Sequence, residues 1–189
     1  RRVHEESTIL AQPNQLPRWQ GEPIQGSLVL VHEQGLGDTF QFIRYAKLLQ
    51  TQGLICHFRG PQKLHGLIQD SGLVSSCHTP NEPLPSDASA WVALMSLAPL
   101  LGVSMQQPLT CGEPYFVVEQ TRIEHWQSLL GPRQGLRLAL HWQGNPDHEF
   151  TTSRGRSFCL DALSPLLSLT GVEWISLQKG PGSEQAQQG

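Results

Sequence analysis

Basic clusters, long apolar runs and metal-type cysteine pairs are all missing from this sequence. Its 189 residues include 13 Lys and Arg against 16 Asp and Glu, which gives a net charge of −3. The few basic residues are scattered, which argues against a nucleic-acid binder. No stretch of about 18 apolar residues occurs, so no membrane span is predicted.

The cysteines and the amino-terminal residues exclude further classes. Cys56, Cys77, Cys111 and Cys159 form no C-x-x-C pair and have no histidine at a repeating ligand spacing, so no metal is expected. Free thiols of this kind are typical of the cytoplasm, which is the predicted location. The start lacks the apolar core of a signal peptide and an initiator Met, so we expect a piece of a longer protein.

Apolar strands alternate with helices across residues 26–131. The run Leu28–Val31 leads into a glycine turn, the pattern of a parallel strand that is buried on both faces. A helix is predicted over Thr39–Gln52, where apolar residues recur at helical spacing and Gly53 follows. Three more strands are predicted at 54–58, 74–78 and 90–94, with short helices at 62–69 and 97–101. The pattern indicates an α/β fold with a Rossmann-like, doubly wound parallel sheet.

The remaining residues divide into an arm, a second unit and a tail. Residues 1–25 hold three prolines and few apolar positions, so they are predicted to form an arm pinned by Trp19. After a helix over Thr121–Leu130 and a glycine-proline break, strand, helix and strand recur over 136–181. One such unit leaves its sheet half covered, so we expect missing chain or a homodimer through its apolar edges. Residues 182–189 are polar and Gly-rich and are predicted to be disordered.

The turn after the first predicted strand contains the most informative motif, Gln34-Gly35-Leu36-Gly37-Asp38. Glycines here let a ligand approach the backbone, and the N-terminus of the following helix favours anions. The dinucleotide fingerprint G-x-G-x-x-G fails, because Phe40 takes the place of the third glycine and no acidic residue ends the second strand. A NAD-dependent oxidoreductase is therefore disfavoured. The alternative to a ligand-binding loop is a tight turn capped by Asp38.

Asp38 has two interpretations. As a helix N-cap, its carboxylate would accept backbone N–H bonds that contribute about 1 kcal/mol. As a catalytic base at the carboxyl end of a central strand, it would take a proton from an attacking hydroxyl. The two roles compete, because a carboxylate held by N–H groups is a poorer base.

A second candidate site follows the predicted strand at 136–142. The loop after it contains Asn145, Arg154 and Arg156, and Lys179 follows the last strand. Arginine forks match phosphate oxygens, so this group of residues is a candidate for holding a diphosphate. The alternative is a solvated basic loop.

Five segments together resemble a bacterial family. They are Trp19–Pro23, His32–Asp38, Gln41–Tyr45, His141–Pro146 and Ser176–Gly180. In this order they look like the glycosyltransferase domain that follows tetratricopeptide repeats in many bacterial proteins. That domain is similar in turn to the heptosyltransferases of glycosyltransferase family 9. The resemblance covers residues 18–181, and Glu33–Asp38 is its most specific part.

The resemblance implies a GT-B architecture of two lobes facing a cleft, with the acceptor on the first lobe and the donor on the second. Asp38 is then the catalytic base of a metal-independent, inverting transfer, and Gln34, Gly35 and Gly37 form its turn on the acceptor side. The implied partners are a nucleotide diphosphate sugar as co-substrate and a glycan, lipid or protein as acceptor, with no cofactor.

The donor side of the resemblance is less complete. In the family, basic residues of the second lobe contact the donor diphosphate. The resemblance assigns this role to Arg154, Arg156 and Lys179, with Asn145 beside them. The later donor-binding segment of the family, an Asp-Thr pair and a His-Leu-Ala-Gly turn, has no counterpart here. We therefore expect that the chain as given does not turn over, although the full-length protein is predicted to be a glycosyltransferase. The alternative is a non-catalytic scaffold or interaction module built on the same fold.

Overall fold

The computed structural model describes residues 13, 15–108, 113–144 and 157–187. The chain divides into two compact units, Arg1–Ile123 and Glu124–Gly189. Each unit contains its own parallel sheet, with four strands in the first and two in the second. In the described ranges, no helix combines the length and the apolar character that crossing a membrane requires.

The first unit alternates strands with short helices. Its elements are β1 (Ser27–Val31), α1 (Leu36–Phe42), α2 (Tyr45–Thr51), β2 (Ile55–Arg59), α3 (His65–Asp70), β3 (Ser76–His78), β4 (Ala88–Ala93) and α4 (Leu97–Leu100), with 3-10 turns at Gln62–Leu64 and Leu94–Ser96. Helix α5 (Gln120–Leu130) begins in the first unit and ends in the second. The predicted α/β fold with a parallel sheet flanked by helices is confirmed.

The order of the strands is β3-β2-β1-β4, and all three pairings are parallel. The chain thus moves outward from β1 to β3 and then returns to the other side of β1. This reversal places the carboxyl ends of β1 and β4 next to each other. In open parallel sheets, ligands bind outside the carboxyl ends of the strands at such a reversal.

Side chains alternate between the two faces of the sheet, and each face has its own apolar cluster. Leu28, Leu30, Phe58 and Val92 are buried with residues of the helices, including Leu49. On the other face, a smaller cluster forms from five strand residues and two loop residues: Val29, Val31, Ala88, Trp91, Ala93, Leu16 and Leu84. Every residue of β1 is buried, which confirms the prediction of a strand covered on both faces.

The single helix predicted over Thr39–Gln52 is wrong, because the chain breaks it into α1 and α2. In a continuous helix, the carbonyls of Phe40 and Gln41 would accept the N–H groups four residues later. Here the Tyr115 hydroxyl donates to the Phe40 carbonyl (2.6 Å), and the Arg44 Nε donates to the Gln41 carbonyl (2.7 Å). Two side chains therefore take the acceptors that would continue the helix.

Trp19 fixes the described end of the arm, as predicted. Its side chain is only 3% exposed, and its indole N–H donates to the Glu22 carbonyl at 2.7 Å. Its backbone N–H donates to the Trp91 carbonyl at 2.8 Å. The arm is thereby joined to β4 by both packing and a hydrogen bond.

The second unit is small. It contains β5 (Leu136–Leu140), α6 (Ser164–Leu167) and β6 (Val172–Ser176), with 3-10 turns at Leu160–Leu163 and Ser183–Gln187. The parallel strands are joined by a two-point ion pair in which Arg137 donates to both carboxylate oxygens of Glu173 (2.8 and 3.0 Å). Disorder is predicted for residues 182–189, but the last 3-10 turn, Ser183–Gln187, lies in this range. The side-chain oxygen of Gln185 accepts the Leu160 N–H at 2.7 Å.

Candidate functional site

The predicted acceptor-side residues lie together in the loop between β1 and α1. Strand β1 ends at Val31, and α1 begins at Leu36 with Gly35 as its N-cap. Gln34 adopts φ +52°, a left-handed conformation that is uncommon outside glycine. This residue turns the chain sharply, so that Gly35, Gly37 and Asp38 follow at the carboxyl edge of the central strand.

Asp38 is not the N-cap, which corrects one of its two interpretations. It is the third residue of α1, and its half-buried carboxylate accepts the Gly35 N–H at 2.9 Å. A Cβ at Gly35 would lie 3.1 Å from the same carboxylate oxygen, so glycine gives this contact its room. The carboxylate fixes the entry to the helix through this bond, and its other lone pairs stay available for a proton.

His32 lies beside Asp38 and is held by the same helix. Its Nδ1 is 2.6 Å from the hydroxyl of Thr39, which is buried. Burial lowers the pKa of His32, while the charge of Asp38 acts to raise it. A neutral imidazole and a carboxylate therefore stand at one edge of the sheet, and both are groups that move protons in catalysis.

Glu33 joins the loop to the segment that follows β4. Its side chain is 3% exposed, and its carboxylate accepts the Met95 N–H at 2.9 Å. Met95 belongs to the 3-10 turn Leu94–Ser96, which contacts α1. The bond therefore spans the point where the strand order reverses, and it fixes the position of the loop relative to β4.

The predicted donor-side residues are only partly described. Asn145, Arg154 and Arg156 lie outside the described residues. Lys179 follows β6 and is exposed to solvent. Its sequence neighbour Gln178 is a residue to which the sequence analysis assigned no role.

Gln178 connects the two loops at the carboxyl ends of β5 and β6. Its side-chain oxygen accepts the N–H groups of Trp142 and Gln143 (3.1 and 3.0 Å). Its side-chain nitrogen donates to the carbonyls of Gln143 and Pro181 (3.0 and 2.7 Å). All four bonds go to backbone, so Gln178 gives this edge of the second sheet a fixed shape.

A polar cluster lies on the other face of the first sheet. The Ser76 hydroxyl stands between His57 Nδ1 (2.7 Å) and His78 Nε2 (2.6 Å), so it links β2 to β3. His57 Nε2 is 3.9 Å from the Asp87 carboxylate. Burial lowers the pKa of His57, Asp87 acts to raise it, and His78 acts to lower it. Burial, the largest of these effects, therefore favours the neutral form of His57.

The described residues form no group that could hold a metal ion, and the thiols of Cys56 and Cys77 are shielded. No three His, Cys, Asp or Glu side chains there are grouped so that they could hold a metal ion. Burial raises the pKa of both Cys56 and Cys77 to about 12. Both thiols therefore stay protonated at neutral pH, when they are poor nucleophiles.

Clefts are found away from Asp38. One of ≈ 700 Å³ lies in the first unit, and one of ≈ 650 Å³ lies at the amino ends of β5 and β6 in the second; Asp38 lines neither. Comparisons with protein-family models, curated proteins and solved structures find no match to this chain.

Proposed function

We propose that the chain is part of a heptosyltransferase-like glycosyltransferase of the GT-B type, which transfers a sugar from a nucleotide diphosphate sugar to an acceptor hydroxyl. The observation that carries the proposal is the setting of Asp38. This carboxylate follows the central strand at the reversal of the strand order, is half-buried, and accepts one backbone N–H. Its place at this edge and its remaining lone pairs support a role as general base.

In the proposed reaction, Asp38 takes the proton of the acceptor hydroxyl. The hydroxyl oxygen forms a bond to the anomeric carbon of the donor, and the bond from that carbon to the phosphate oxygen breaks. The nucleoside diphosphate leaves with the electron pair, and the sugar carbon is inverted. Cationic groups stabilise the charge that develops on the leaving group.

His32 supports this role as a positioning residue. Its imidazole is tied to Thr39 in α1 and is neutral at pH 7 because its pKa is lowered. A neutral ring next to Asp38 leaves the carboxylate without a permanent ion pair at this position. The bond to Thr39 thereby ties the end of β1 to α1, the helix that carries Asp38.

The donor side of the proposal rests mainly on the sequence. Lys179 is exposed at the carboxyl end of β6, where a diphosphate has access to it. Arg154, Arg156 and Asn145 are proposed as its companions from the resemblance alone. The two units with separate parallel sheets are compatible with the two lobes of a GT-B enzyme.

The proposal is tested by donor screening on the full-length protein. UDP-, GDP- and ADP-sugars are supplied with bacterial glycan, lipid and protein extracts, and released nucleoside diphosphate is measured. We expect release with one donor class, dependent on an acceptor. Absence of release with every donor and acceptor would overturn the proposal.

A non-catalytic interaction module is the second candidate. It is favoured by the exposed apolar side chains of α5, where Trp126 and Leu129 are 57% and 65% exposed. Calorimetry with UDP, GDP and ADP separates the two candidates, because an interaction module should bind none of them. Saturable binding of one nucleoside diphosphate would exclude the module.

A further inference from the structure

The first unit contains a cleft that the proposed transfer does not use. Its volume of ≈ 700 Å³ is within the range of about 300–1,000 Å³ that small-molecule sites occupy. Its walls come from the arm, from the end of β2, from the loop between β3 and β4, and from the first residue of β4. Among the lining residues are Gln15, Leu16, Arg59, Asn81, Glu82 and Leu84.

Arg59 is the basic residue among those that line the cleft. It ends β2, and its side chain is on the face opposite the buried Phe58, since neighbouring residues of a strand alternate. One of its terminal nitrogens donates to the Pro80 carbonyl. This bond fixes the guanidinium over the loop between β3 and β4.

The guanidinium lacks a counter-charge in the described part of the chain. No carboxylate there pairs with it, and its Nε–H is buried without a hydrogen-bond partner. Burial accordingly lowers the pKa of Arg59. A partly buried cation without an anion is unfavourable, and a bound carboxylate or phosphate would relieve that cost.

Glu82 is the acidic residue that lines the same cleft, and its carboxylate binds a backbone group of the neighbouring turn. Its carboxylate accepts the Thr79 N–H at 2.5 Å. That bond lowers the pKa of Glu82, and the charges of His65 and His78 act in the same direction. The carboxylate is therefore held in the Thr79 turn rather than by Arg59.

The other walls combine apolar side chains with polar groups. Leu16 and Leu84 belong to the small apolar cluster of this face, and prolines flank Leu84 on both sides. Asn81 and Gln15 add amide groups. A cleft of this size with mixed walls and one arginine that lacks a counter-charge fits a small ligand with a single anionic group.

We propose that this cleft is a ligand site of its own, which takes a small molecule carrying one carboxylate or phosphate, with Arg59 as the anion-binding residue. The site is independent of Asp38, because α1 packs against the opposite face of the sheet. It is therefore separate from the proposed sugar transfer, and either proposal stands if the other fails.

The test uses the 189-residue chain and three matched probes. Phenyl phosphate and benzoate carry the anion on the same ring, and benzyl alcohol is the neutral counterpart. Each is titrated by calorimetry, and backbone amide shifts are followed by NMR. We expect saturable binding of an anionic probe with shifts at Asn81, Leu84 and Ala88, and no binding of benzyl alcohol. The tighter anion identifies phosphate or carboxylate as the natural group.

Two variants complete the test. Arg59→Gln should weaken binding at least tenfold, and Arg133→Gln should leave it unchanged, because Arg133 is exposed in the second unit. Equal binding by Arg59→Gln and the wild type would overturn the proposal, as would saturable binding of neither anion. If Arg59→Gln does not fold, the wild-type shifts decide: shifts confined to other residues contradict the site.

Discussion

At the scale of single residues, side-chain contacts give the loop after β1 its shape. Glu33 accepts the Met95 N–H, Asp38 accepts the Gly35 N–H, and His32 pairs with Thr39. Each contact joins the loop to a different neighbour: the segment after β4, the helix N-cap and the helix body. The position of the proposed base thus depends on residues that do not themselves take part in the reaction.

Replacing Glu33 tests how strongly the loop is fixed. Glu33→Ala leaves the Met95 N–H without its acceptor, so we expect a loss of about 1–3 kcal/mol in the free energy of unfolding. Glu33→Gln retains a side-chain oxygen and should lose less. Denaturant unfolding measures both variants. Equal stability of the alanine variant and the wild type would show that the bond to Met95 contributes nothing.

Replacing Gly37 tests whether the fold or a bound ligand requires glycine at this position. Its φ is outside the left-handed region, and a Cβ there would meet nothing within 4 Å. Gly37→Ala should therefore keep or raise the melting temperature, since alanine favours helix over glycine. If an acceptor approaches this backbone, kcat/KM should fall by about tenfold or more. An unchanged kcat/KM would place the acceptor elsewhere.

The sequence predicts Asp38 as a candidate and misses its neighbours. A glycine turn directly after an apolar run is a local pattern, so the position of Asp38 at the end of a strand can be read from adjacent residues. The partner of Glu33 is 62 residues away, and no local pattern announces it. The local signal at Glu33 is a charged residue two positions after a buried strand. That signal does not show which backbone N–H its carboxylate accepts.

At the scale of elements, the polar face of β2 and β3 should make stability depend on pH. The pKa of His57 is lowered in the folded chain, below the value of about 6.5 for an unfolded histidine. As the pH falls, the unfolded chain therefore binds the proton first, and stability decreases from about pH 6.5 downward until the folded pKa is passed. His32 adds a contribution of the same sign.

The variant His57→Asn isolates this contribution. Its side chain can keep a hydrogen bond to Ser76 in place of Nδ1, but it does not titrate. We expect the drop in unfolding free energy between pH 7 and pH 5 to be smaller than in the wild type, with the residual drop due to His32 and other groups. An identical pH dependence in both proteins would remove His57 as a cause.

Strands and helix breaks differ in how far the sequence predicts them. Every residue of β1 is buried, and a strand buried on both faces is largely apolar in sequence. The apolar run therefore identifies this strand. The break between α1 and α2 depends on Tyr115, which donates to a carbonyl 75 residues earlier. Apolar spacing is continuous across the break, so periodicity alone predicts one helix.

At the scale of the whole molecule, the chain consists of two units, each with a parallel sheet and each with a defined carboxyl edge. The recurrence of the strand-helix-strand pattern after residue 135 allowed a second unit to be predicted. The functional residues of that unit follow less directly, because Gln178 acts through four bonds to backbone. Such bonds depend on where the loops lie, so no regular spacing of residues in the sequence indicates them.

The proposed transfer is tested most directly by the turnover of Asp38→Asn in the full-length protein, with Glu113→Gln as the control for loss of one exposed carboxylate. Asparagine keeps an oxygen for the Gly35 N–H, so the melting temperature should change little. It does not accept the proton of an attacking hydroxyl, so turnover should fall by about 100-fold or more, while the control keeps the wild-type rate. A rate for Asp38→Asn equal to that of the wild type would contradict the account.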